Sequence, residues 1–184
     1  NLTTATENVA VGYQSLYTHT YANKLVAVGN QAQYRNNGGV DCTSVGYRSL
    51  FNNVIGDNNC GFGNEVLLNS ISHNNSAFGF QALYNNSASG GPGGYNSVFG
   101  SQALSNATQS GHNVAMGYKV GNTLQTGANN IILGSEAEPS SSSVSNEVTI
   151  GNANVNHLRI PGIGVSFGTG GAVVSGIVTA SQFI

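Results

Sequence analysis

The sequence predicts an all-β protein, a parallel β-solenoid (β-roll) of about nine coils, each about 17 residues long, on three observations. One glycine returns at near-constant spacing: Gly12, Gly29, Gly46, Gly63, Gly79, Gly100, Gly117, Gly134 and Gly151, at intervals of 17, 17, 17, 16, 21, 17, 17 and 17 residues. The residues leading into each glycine alternate in character with a period of two, which is a strand signature. Asn, Gly and Ser dominate the rest of each unit, as tight turns require. A unit of 17 residues is too short for a helix pair or a propeller blade. As one coil it advances a stack by about 4.8 Å, so nine coils make a rod about 40 Å long.

The strand comes first in each unit. The residue before the glycine is always large and apolar: Val11, Val28, Val45, Phe62, Phe78, Phe99, Met116, Leu133, Ile150. Three before the glycine stand Val9, Val26, Thr43, Cys60, Ser76, Ser97, Val114, Ile131 and Val148. These two rows point one way and the mostly small residue between them points the other. The glycine then ends the strand, because a residue without Cβ takes the φ > 0 conformation of a sharp turn. After it, a polar or aromatic residue, a polar residue and a small one lead to Leu16, Leu50, Leu67, Leu83 or Leu104, which reads as a second short strand with an inward side. Four before the glycine stand Asn8, Asn59, Asn75, Asn96, Asn113 and Asn130, whose stacked amides are expected to form a hydrogen-bonded ladder.

A coil of two short strands encloses a thin interior. Small cores of this kind commonly need oligomerisation. The strip Ala10, Ala27, Ser44, Gly61, Ala77 and Ala115, two before each glycine, is the expected site of contact with another copy about a closed symmetry axis. Cys42 and Cys60 stand at adjacent places of the repeat, four and three before their glycines, so they face opposite ways and are not expected to pair. Two irregular stretches interrupt the pattern, residues 84–97 and 137–147. Irregular loops of repeat proteins often carry binding, and Tyr84 and Tyr95, flanking the first, are candidate receptor-binding residues whose rings would suit sugars.

Composition excludes several functions. Only 7% of residues are charged, against roughly 25% in ordinary domains, and the net charge is −2. Five Lys plus Arg cannot form the basic stripe that nucleic acid needs. No run of about 18 apolar residues exists to span a membrane. His19, His73, His112 and His157 lack metal-ligand spacing, so no metal and no cofactor is expected. Glu136 and Glu138 are the acids nearest in sequence and stand about 7 Å apart on an extended segment. That separation suits glycoside hydrolysis, but no base or groove accompanies them, so no enzyme activity is expected. The chain starts and stops in mid-phrase, which reads as a piece of a longer protein.

The phrases ENVAVGYQSLYT, NNSAFGFQALYNN and YNSVFGSQALSN resemble the head repeats of trimeric autotransporter adhesins, and more closely their variant in bacteriophage and other viral tail fibres. The resemblance covers residues 7 to about 156. It implies a left-handed β-roll in a homotrimer. Residues 1–156 are then the repeat domain, and residues 157–184 a β connector to a further module. The stretches Leu158-Arg-Ile-Pro-Gly-Ile-Gly and Val174-Ser-Gly-Ile-Val-Thr-Ala-Ser look like the exits of viral fibre rolls, and no heptads or basic neck of an adhesin follow. The resemblance therefore implies a fibre segment on a virion surface that spaces or presents host attachment. Its implied partners are other fibre or virion proteins and host surface glycans or receptors. A bacterial trimeric surface adhesin is the alternative, and a polysaccharide-degrading fibre the outsider.

Overall fold

The computed structural model describes residues 6–87, 93–160, 165–168 and 171–174. The chain divides into two compact units, Asn1–Gly151 and Asn152–Ile184, the boundary falling five residues before the expected one at 156. No helix occurs among the described residues. The first unit is a β-solenoid with one three-residue strand per coil: β1 (Val9–Val11), β2 (Val26–Val28), β3 (Thr43–Val45), β4 (Cys60–Phe62), β5 (Ser76–Phe78), β6 (Ser97–Phe99), β7 (Val114–Met116), β8 (Ile131–Leu133) and β9 (Val148–Ile150). They form one parallel sheet in chain order. Equivalent residues pair throughout, Ala10 with Ala27 at one end and Ile132 with Thr149 at the other. The short interval before Gly79 and the long one before Gly100 leave this register intact, Cys60 pairing with Ser76 and Ser76 with Ser97. Length changes are absorbed in the turns.

The second strand expected in each coil is not formed. The segment after each glycine from Gly12 to Gly117 is a run of turns, with left-handed φ two and four residues on, as at Gln81 (52°) and Leu83 (51°). Left-handed residues break the extended pleat, so no regular strand runs there. The coils are still joined across this wall. Gln81 N donates to Asn64 O of the preceding coil at 2.9 Å, and Leu83 N donates to Ala103 O of the following coil at 2.9 Å.

The glycines mark places where no other residue fits. Gly79 has φ of 135°, and a Cβ on Gly12 would stand 2.5 Å from the carbonyl oxygen of Gly29 in the next coil. The same stacking recurs from coil to coil, so both conformation and close approach demand glycine.

The interior is filled from two sides. Leu50, Leu67, Leu83 and Leu104 project from the turn wall and are fully buried. Opposite them, the middle residue of each strand faces inward: Ala27, Ser44, Ala77, Val98, Ala115 and Ile132 are buried. At one corner runs the expected Asn ladder. Asn75 Nδ2 donates to Asn59 Oδ1, Asn96 Nδ2 to Asn75 Oδ1, and Asn113 Nδ2 to Asn96 Oδ1, at 3.0–3.2 Å. Each Oδ1 also accepts the next ladder residue's backbone N–H, as in Asn96 N to Asn75 Oδ1 at 3.1 Å. Buried backbone donors at the corner are thereby satisfied.

The second unit contains an antiparallel sheet of β10 (His157–Ile160), β11 (Val165–Gly168) and β12 (Gly171–Val174), in that order. Most of the expected exit signature, residues 161–164 and 175–181, lies outside the described residues.

Candidate functional site

The small-residue strip does not face a partner. Ala27, Ser44, Gly61, Ala77 and Ala115 are buried inside the chain, and only Ala10, in the first coil, is exposed. A Cβ on Gly61 would meet Ser49 Oγ at 3.0 Å, Val66 Cγ1 at 3.2 Å and Leu50 Cδ1 at 3.3 Å, all of them interior side chains. The alternation was legible, but its two faces are the reverse of the expectation. The leucines of the turn wall already fill the thin interior, so the strand residue opposite them must be small.

The consequence is an apolar outer face. The two remaining residues of each strand project outward on the same side of the sheet. One row, here the near row, is the residue before each glycine: Val11 through Phe62, Phe78 and Phe99 to Ile150. The far row lies three before the glycine. Met116 is 52% exposed and Ile150 51%, where a core position would be near zero. Within the near row the rings of Phe62, Phe78 and Phe99 stack on one another, with centroids 5.1 and 4.9 Å apart and planes within 2°. Offset stacking of this kind fixes the rings and adds roughly 0.5–1.5 kcal/mol per pair. Isolated exposed apolar residues need no explanation, whereas an unbroken apolar row along a sheet does.

Outside that face, in-register stacking pairs like with like. Tyr17, Tyr34 and Phe51 stack with centroids 5.1 and 4.9 Å apart, and the Arg48 guanidinium lies over Phe51 at 4.3 Å. Asn52 donates to Asn69, and Asn69 to Asn85. Arg48 reaches Glu65 at 3.5 Å, and Gln81 donates to the other oxygen of that carboxylate at 2.8 Å. These ladders escaped the sequence reading. The signal was present, since a constant period places equivalent side chains one above another.

The other candidates sit as follows. Tyr84 is partly buried in the turn wall, and the exposed Tyr95 stacks on His112 at 4.8 Å, so its ring has one face covered. The two tyrosines stand in different rows; residues 88–92 of the loop between them lie outside the described residues. Glu138 is engaged in structure: its carboxylate accepts from Asn122 N, Thr123 N and Thr123 Oγ1. Glu147 takes the ladder position in the last coil and accepts from Ser140 N at 2.9 Å, Ser140 Oγ and Thr149 Oγ1 at 2.8 Å. The Ser140 side-chain bond, then its backbone bond and Thr149, hold the Glu147 carboxyl below its ordinary value. These two acids close the irregular turn at 137–147.

His19 is buried, with Asn8 Nδ2 against Nε2 at 3.0 Å and its Nδ1 at 3.2 Å from Asn36 O. Both thiols are free. Burial pushes Cys42 up to about 12, and its Sγ donates inward to Gly56 O at 3.1 Å; Cys60 lies in the outer far row, its pKa raised by partial burial. Among the described residues no group of three His, Cys, Asp or Glu could hold a metal, and no helix is long and apolar enough to cross a membrane. No protein-family model, curated protein or solved structure matches this chain.

Proposed function

We propose that this chain is one protomer of a homotrimeric fibre segment, a left-handed β-roll that spaces or presents a host-attachment surface on a virion tail or surface fibre. One observation carries the assembly: the sheet turns outward one row that is apolar in all nine coils, beside a second that is apolar except at Thr43, Ser76 and Ser97, and further copies of the chain would cover them. The contact expected at the small strip is moved by this reading to the rows flanking it. The number three, the hand and the viral setting rest on the resemblance of phrases such as NNSAFGFQALYNN. Trimerisation multiplies weak surface contacts through avidity. Glycans or receptors are the attachment partners in this reading, with Tyr84 and Tyr95 as contact candidates. The bacterial adhesin head is the second setting for the same repeat.

The deciding experiment is light scattering on the 184-residue chain. A mass of three chains is expected. A folded single chain at micromolar concentration would overturn the assembly and leave the apolar rows without this role.

A further inference from the structure

We infer that the residues directly after the turn glycines form a binding rank for an extended, neutral, β-1,4-linked glycan lying along the solenoid, with an aromatic ring under every second sugar. The inference rests on the attachment role proposed above and adds to Tyr84 and Tyr95 a separate contact surface and a glycan class. It requires no particular number of copies.

What carries it is an alternation from coil to coil. The position after the glycine is aromatic in the first, third, fifth and seventh coils, at Tyr13, Tyr47, Phe80 and Tyr118. In the coils between, it is small and polar, at Asn30, Asn64 and Ser101. Tyr13 is 68% exposed and the other three rings 45–46%. The backbone beneath them is fixed to the next coil. Tyr47 O accepts from Glu65 N at 2.8 Å, Asn64 O from Gln81 N at 2.9 Å and Phe80 O from Gln102 N at 2.7 Å. The rings therefore recur at two coil heights, about 9.6 Å.

The aromatic and amide rows described above close on themselves. Phe62, Phe78 and Phe99 stack in consecutive coils, and Asn52, Asn69 and Asn85 donate one to the next. Alternation prevents both here. Among the described residues none of the four rings stacks on another ring, and the side chains of Asn30, Asn64 and Ser101 make no hydrogen bond. The neighbouring cations leave the rings half exposed: Arg48 lies 5.9 Å from the Tyr47 centroid and Lys119 5.3 Å from that of Tyr118. The row lies outside the core, so interior packing does not impose this order.

Open rings beside open amides and hydroxyls are the chemistry of sugar recognition. A ring packs on the C–H face of a pyranose, and the polar side chain pairs with its hydroxyl or acetamido groups. The spacing selects the linkage. Successive sugars of a β-1,4 chain are turned over relative to each other, so one face recurs at every second sugar, at a repeat close to two coil heights. An α-1,4 chain coils and keeps no such repeat. With 7% charged residues, the chain suits a neutral glycan rather than an acidic one. A row already held by its backbone loses little freedom on binding.

Isothermal titration calorimetry on the 184-residue chain tests the rank, with β-1,4-linked N-acetylglucosamine oligomers of two, four and six sugars and maltohexaose as the α-1,4 control. Affinity should rise with each added disaccharide, and maltohexaose should give no heat of binding. Tyr47→Ala and Phe80→Ala should each weaken binding of the hexamer about tenfold. Asn64→Tyr separates a spaced rank from an apolar patch. Its ring would fill the gap between Tyr47 and Phe80 and stack on both, so binding should fall although aromatic area rises. Circular dichroism and the thermal midpoint establish that each variant is folded. Absent binding of the hexamer, equal binding in the natural chain and the alanine variants, or tighter binding by Asn64→Tyr would overturn the rank. Any of these results beside a mass of three chains leaves the assembly standing. Hexamer binding by a single-chain species would overturn the assembly and leave the rank.

Discussion

Asn75 shows how much depends on one amide. Its Oδ1 accepts both Asn96 N and Asn96 Nδ2, and its own Nδ2 donates to Asn59. Asn75→Ala leaves a buried backbone N–H without an acceptor, and we expect a loss of about 1–3 kcal/mol in denaturant unfolding. Gly79→Ala meets two obstacles at once, the left-handed φ and the Gly100 carbonyl stacked on it. Strain and clash together should cost about 3 kcal/mol or more, which would show as a lower thermal midpoint. Glu147 gives a pH signature. Its folded carboxyl lies below the ordinary value of 4.5, so the stability it contributes is fully present above 4.5 and is lost as pH falls through the folded value. The thermal midpoint of the natural chain should fall more steeply than that of Glu147→Gln as pH drops below about 4.5. Parallel curves would show that the Ser140 and Thr149 contacts do not stabilise the turn.

At the scale of the coil, the inward leucine is the main apolar contribution. Leu83→Ala opens a space between Leu67 and Leu104, all three fully buried, and should cost about 2–5 kcal/mol by chemical denaturation. This row was legible from its spacing after the glycine, as were the turn glycines, the strand positions and the Asn ladder. Two features were not. The turn wall looked like a strand because Gln-Ala-Leu alternates polar and apolar residues. Left-handed φ at Gln81 and Leu83 is invisible to a polarity pattern, since neither residue type favours it. The outer face was misassigned because large apolar residues normally point inward and small ones are tolerated anywhere. In a coil this thin the rule inverts: the interior has room for Leu from one wall and only Ala, Ser, Gly or Val from most of the other. Gln33 shows the same limit, standing in the leucine row yet buried, with its Nε2 donating to Val26 O and Ser44 Oγ and its Oε1 accepting from Asn36.

For the molecule as a whole, low charge and a continuous apolar face point the same way. With 7% charged residues, little repulsion opposes the approach of identical copies. Met116→Glu tests the face from outside the Phe segment. It sets a carboxylate on a half-exposed position that assembly would bury, so the mass should fall towards one chain while the circular dichroism of the coil is retained. An unchanged mass would remove Met116 from the interface. The alternation of the strand was legible in the sequence, but its direction was read the wrong way round, and the burial of Ala77 and Ala115 reverses it.

The ladder that joins the coils has a mechanical consequence. Hydrogen bonds between neighbouring strands run along the stack, so a pull on the two ends of the roll loads them in line and opens them a coil at a time. A 17-residue coil that peels away lengthens from one strand spacing to an extended segment, a gain of about 55 Å. Force spectroscopy on a single roll should therefore record a train of small steps of about that size, with one longer step from the coil whose glycine interval is 21 residues. Neighbouring copies packed on the outer face would share the load, and a bundle should yield at a higher force than the sum of its separate rolls.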